Sequence, residues 1–215
     1  MKTYDYQAAL AMRPCWLTER RGRLKLRSAC ARLGGAFTVQ DVLNATWLHP
    51  EERLWFATRH DVVDVDVLRQ FAVRISRRAL ERERTDGIEH PDLWHALEVT
   101  ERYHRGEATV DDLAIQMAAL QAVQDLADSV AMEARAAMFG REFRTAALVA
   151  IVRTMVASAT EGGEASTQAA RAVIAWAWTV AMLASRPMTT ARMEATRQIV
   201  DLLELLADLD GGTEC

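Results

Sequence analysis

Glycine, proline and cysteine are all scarce in this chain: ten, four and three residues of 215. The first two shortages, with half the residues hydrophobic and 26% charged, exclude low-complexity, collagen-like and disordered chains, because burial can repay the entropy of ordering. The three cysteines, Cys15, Cys30 and Cys215, are an odd number with no CxxC pair. That fits a reducing compartment better than a disulfide framework, so the cytoplasm is the expected location. Long apolar runs are missing too. The most hydrophobic stretch, AVIAWAWTVAMLA from Ala172 to Ala184, lies between Arg171 and Arg186 and falls short of the ~20 residues that cross a bilayer. It reads as a buried helix, and no membrane association is expected. The run Ala8 to Met12 is too short for the apolar region of a signal peptide, so export is not expected. No Gly-x-Ser-x-Gly, P-loop or dinucleotide glycine pattern occurs; Gly34-Gly35 and Gly162-Gly163 are turn signals.

What is abundant is helical punctuation. Thr38 with Asp41 forms a capping box ahead of VLNA, and His49-Pro50 followed by Glu51 and Glu52 starts a helix near 50. His90-Pro91-Asp92 repeats that device before LWHALEVTERYH. Gly106 then breaks the chain and Thr109 with Asp112 caps the next segment, which makes a helix–turn–helix hairpin. Leu113, Met117, Leu120, Val123, Leu126 and Val130 recur at spacings of three and four, one stripe of a long amphipathic helix. Alanine-rich segments follow over 141–159, 165–185 and 190–209. The valine alternation in DVVDVDVL, Asp61 to Leu68, has no second strand to pair with. It reads as a loop whose Asp64 or Asp66 caps a helix with Leu68, Phe71, Ala72, Ile75 and Ala79 inward and its arginines outward. The expected fold is therefore all-α, an irregular bundle of about seven to nine helices with alanine-rich C-terminal helices. A single domain spanning 1–215 is the simplest organisation, with a subdivision into 1–86 and 87–215 as the alternative.

Charge is distributed unevenly. Residues 1–37 hold eight Lys/Arg against Asp5 and Glu19, while the whole chain carries −4, so the remainder is strongly acidic. The run RRGRLKLRSACAR, Arg20 to Arg32, offers Arg20, Arg21, Arg23, Lys25 and Arg27 as a basic docking face, and the last eighteen residues offer an acidic one. The basic run lacks aromatic interleaving and a recognition-helix motif, so nucleic acid is not the expected ligand, although a nucleic-acid-associated helical module is the reading it would support. Trp176 and Trp178 are about 200° apart on a helix, and Trp178 is the one assigned to an exposed contact. Trp47, Leu54 and Trp55 are expected in the core.

Candidate catalytic groups are few. His60-Asp61 matches the ligand dipeptide of HD-type metal-dependent phosphohydrolases, but it leads into a loop and lacks the further helical ligands that such a site needs. His95 and Glu98 share a helix face, yet His90 is a cap position and His104 lies more than two turns away, so one ion cannot gather the three imidazoles. Cys30 sits on an apolar face with Leu26, Ala29 and Leu33, where a thiol is inert. No metal and no cofactor are assigned.

Three segments, LRSACARLGGAFTVQDVLNATWLHPEERLWFATR, VLRQFAVRISRRALERE and WHALEVTERYHRGEATVDDLA, follow an order that resembles a diffuse group of bacterial and phage immunity-protein-like chains, over residues 26 to 135. The tail after Gly140 departs from that pattern. The resemblance implies an all-helical, non-enzymatic protein that acts by binding another protein, a toxin or defence component, and blocking it by surface occlusion. It transfers no catalytic residue.

Overall fold

The computed structural model describes residues 2–12, 20–59, 61–121, 141–161 and 187–211, with the single positions 168 and 172. Every regular element among them is a helix. We number these α1 (Tyr6–Ala11), α2 (Arg20–Arg32), α3 (Val39–Asn44), α4 (Pro50–Ala57), α5 (Val65–Thr85), α6 (Pro91–His104), α7 (110–121), α8 (Arg141–Glu161) and α9 (Pro187–Gly211). None is long and apolar enough to cross a membrane among the described residues. The contacts divide the chain into two compact units, Met1–Ala57 and Thr58–Cys215.

In the first unit, Asp5 caps α1 by accepting the Ala8 N–H at 2.8 Å. Backbone bonds of 2.7 and 2.9 Å join Tyr4 to Phe37 in an isolated antiparallel bridge. That bridge brings three rings together: Tyr4 meets Phe56 edge-on at 5.2 Å between centroids, and Phe37 lies 5.7 Å from Phe56. Between α2 and this cluster the chain must reverse sharply. Gly34 and Gly35 take φ of +92° and +85°, and the Gly35 N–H closes the end of α2 on the Cys30 carbonyl at 3.0 Å. The Thr38–Asp41 capping box then starts α3 as the residues require. Arg53 of α4 is only 7% exposed and donates Nη1 to the Leu43 carbonyl at 2.9 Å, satisfying the last turn of α3 from the side.

The second unit is organised around α5, which packs against α6, α8 and α9. Asp64 caps it through the Asp66 N–H at 2.8 Å, so the valine alternation before it is a loop and cap. The inward face of α5 is as expected: Leu68, Phe71, Ala72, Ile75 and Ala79 are all buried. Helix α8 meets α5 and α6 with Leu148, Val149, Ile151, Val152, Met155 and Val156 fully buried, as in a core helix that is apolar around most of its girth. The α6–α7 connection turns at Gly106 with φ +75°, and Thr109 and Asp112 bond reciprocally to start α7. Leu113 and Leu120 are its buried anchors; the rest of that stripe, from Val123, lies outside the described residues, as does the segment AVIAWAWTVAMLA.

Arg82 and Arg84 of α5 are exposed as expected, but Arg69, Arg74, Arg77 and Arg78 are half-buried against neighbouring helices. Arg77 grips both oxygens of Glu101 on α6, with Nη2 at 2.6 and 2.7 Å. Arg78 donates to Glu194 at 2.7 Å and also pairs with Asp201 on α9, and Arg74 reaches Glu204 at 2.8 Å. Arg69 donates Nε to the Ser158 carbonyl near the end of α8 at 3.1 Å. For Arg74, Arg77 and Arg78 the cause is the acidic content of α6 and α9, which places a carboxylate within reach of each.

Candidate interaction surface

Helix α2 buries Leu26 and Cys30 and half-buries Ala29 and Leu33, so the opposite side looks out. At 100° per residue, Leu24, Ser28 and Ala31 fall along the middle of that outer side, with Arg23 and Arg27 on one edge and Lys25 and Arg32 on the other. All seven are exposed. Leu24 keeps 58% of its surface open, as an apolar point between the two cationic edges. No carboxylate forms an ion pair with Arg23 or Arg27 among the described residues. The other edge is anchored: Lys25 pairs with Glu52 of α4, and the Arg32 guanidinium lies 4.3 Å from the centre of the Trp47 ring. Arg20 and Arg21 open α2, and their side chains lie outside the described residues.

Trp47 is a correction to the expected core. It sits in the turn between α3 and α4 and remains 37% exposed, whereas Leu54 is buried and Trp55 half-buried. The signal was present in the chain: Trp47 precedes His49-Pro50 and so belongs to neither helix, leaving it free to lean on its neighbour.

The acidic C-terminal helix is less available than its charge suggests. Glu194, Asp201 and Glu204 are all engaged by Arg74 and Arg78. Burial alone would lower the Arg78 pKa, but Glu194 and Asp201 outweigh it and hold the guanidinium above its ordinary value. This cluster is an internal fastening of α9 to α5. Trp178, the other assigned contact residue, lies outside the described residues.

The remaining candidates do not assemble. Asp61 accepts Arg59 Nε at 3.0 Å in a turn beyond α4, and His60 lies outside the described residues. His95 and Glu98 are both exposed on α6. His90 occupies the N-cap position of α6, but its ring makes no capping bond. No three His, Cys, Asp or Glu side chains converge on one point among the described residues. Cys30 lines a small apolar cleft with Leu26, Phe37, Val42, Trp55 and Phe56, of about 50 Å³. That is well below the ~300 Å³ of ordinary ligand pockets. Burial pushes the Cys30 thiol pKa up, and the charge of Asp5 adds to the rise, so the sulfur stays protonated and unreactive.

Comparison with known proteins yields no significant match to any family model, curated protein or solved structure.

Proposed function

We propose that the chain is a non-catalytic protein-binding protein, an immunity-like or phage counter-defence factor that blocks a partner protein by covering it with the outer face of α2. The single observation that supports this is the contrast in charge use. Arg23 and Arg27 stand exposed with no acidic partner among the described residues, beside an exposed Leu24, while Arg74, Arg77 and Arg78 of α5 are engaged by carboxylates of their own unit. A basic face on a chain of net charge −4 favours an acidic partner and orients its approach, because the rest of the chain repels the same surface.

Affinity capture from the native host, with wild type and with Arg23→Glu/Arg27→Glu as bait, tests the reading. The partner should be a protein with an acidic contact patch, lost on charge reversal and recovered when its carboxylates are reversed in turn. Equal capture by both baits would remove the α2 face. Binding dominated by nucleic acid, falling steeply with salt, would favour the nucleic-acid module instead.

A further inference from the structure

We infer that the α2 face and the Arg32–Trp47 pair together form a docking site for an acidic amphipathic helix of the partner protein, an inference that rests on the protein-binding reading above. The two edges of α2 carry cations on either side of a strip that is apolar or small, Leu24, Ser28 and Ala31. Arg23 and Arg27 are one turn apart, a rise of about 6 Å, which is also the spacing of glutamates at i and i+4 on a facing helix. Leu24 gives such a helix an apolar contact at the centre, and charges flanking an apolar seam are the arrangement by which helices select partners and orientation.

Arg32 has a particular part. Its guanidinium lies over the Trp47 ring, 4.3 Å from the centre, a contact that restrains the side chain without using its N–H donors. A fork held in this way loses less rotamer freedom when it grips a carboxylate with two parallel bonds. Trp47 is thus a positioning residue for Arg32 as well as an apolar rim to the site. A nucleic acid fits less well. Phosphates offer Leu24 no apolar counterpart, and one ring already covered on a face by arginine is not a run of stacking platforms. A second copy of this chain is also a poor occupant, since Glu194, Asp201 and Glu204 of its acidic α9 are engaged on α5.

The probe is a fluorescein-labelled helical peptide of about 18 residues, five turns, with leucine on one stripe and glutamate flanking it, read by anisotropy at low ionic strength. Its counterpart carries glutamine in place of every glutamate. Wild type should bind the glutamate peptide and not the glutamine one. Trp47→Ala and Arg32→Ala should each weaken binding about tenfold, the cost of one anchor contact. Trp47→Phe, which keeps a ring under the guanidinium, should recover most of the loss, and Arg32→Lys, which keeps charge without the fork, should recover little. If Arg23→Glu/Arg27→Glu abolishes binding while Trp47→Ala and Arg32→Ala bind as wild type, the basic-face reading stands and the assigned anchor falls. If the glutamate peptide binds wild type and Arg23→Glu/Arg27→Glu alike, or does not bind at all, both fall. Tighter binding of single-stranded oligothymidylate than of the peptide, or concentration-dependent self-association abolished by Arg32→Ala, would also overturn the assignment.

Discussion

Two helices of this protein are rich in arginine, and they use it in opposite ways. On α2, Arg23 and Arg27 point away from their unit and meet no carboxylate among the described residues; on α5, Arg74, Arg77 and Arg78 are fastened to α6 and α9. The difference does not lie in the arginines. Both helices carry an apolar stripe flanked by cations. The neighbours of α5 present acids in register, whereas among the described residues the acid that α4 brings to α2 is Glu52, which Lys25 takes. A run of one charge becomes an internal fastening or an open surface according to what packs beside it, and only the open surface is available to a partner.

The comparison can be broken most decisively at Arg78. Truncating it leaves Glu194 and Asp201, which are 6% and 14% exposed, without their counter-charge. Arg78→Ala should cost about 3 kcal/mol in urea unfolding, the lower end for losing one partner of a buried pair. Arg27→Ala should stay within about 0.5 kcal/mol of wild type, as for an exposed site without partners. Equal losses at the two positions would mean that the contrast between the helices has no energetic content.

A smaller effect is expected at Arg53, a buried arginine of the first unit that is engaged within its own unit. Burial depresses its guanidinium pKa. Arg53→Met keeps the aliphatic stem but deserts the Leu43 carbonyl, which should cost about 1.5 kcal/mol by urea titration. The Arg77–Glu101 pair, bidentate but 41% and 23% exposed, should show a coupling of about 0.5 to 1 kcal/mol in a double-mutant cycle. Near zero coupling would place it with the exposed pairs and narrow the contrast to Arg78 alone.

The capping box at the head of α3 gives an effect of similar size and adds a pH signature. The Thr38 N–H, and then its hydroxyl, donate to Asp41 and hold that carboxyl below its ordinary value. A folded-state value below the unfolded one contributes stability that is present above the unfolded pKa of about 4 and is lost as pH falls through the folded value. Asp41→Asn should therefore flatten the acid side of the stability profile, while Thr38→Ala should cost about 1 kcal/mol at neutral pH. An acid limb unchanged in Asp41→Asn would show that the box does not couple to folding.

Much of this architecture was legible in the chain. The caps at Thr38, Asp64 and Thr109, the proline starts at Pro50 and Pro91, and the inward face of α5 all follow from residues within one or two turns of each other. The start of α9 at Pro187, a few residues before the 190–209 segment, is the same local rule, since proline is tolerated in a first turn. Helix α1 and the Tyr4–Phe37 bridge were not legible, because the bridge joins positions 33 apart and neither residue carries a turn signal that points to the other. Of the basic face of α2, Arg23, Lys25 and Arg27 could be placed on one exposed arc by spacing. Leu24 and Arg32 complete that arc, and Trp47 joins it only through the return of the chain past α3.

By itself the sequence determined the class of the fold, the starts of the capped and proline-led helices and the polarity of charge along the chain, because each of these is set by hydrogen bonds and periodicities that reach no further than a few residues. Only the tertiary structure decided which charges are spent and which are open. The acids that neutralise Arg78 and Arg74 lie 116 to 130 positions away, and an ion pair is decided by distance in space, to which spacing along the chain is blind.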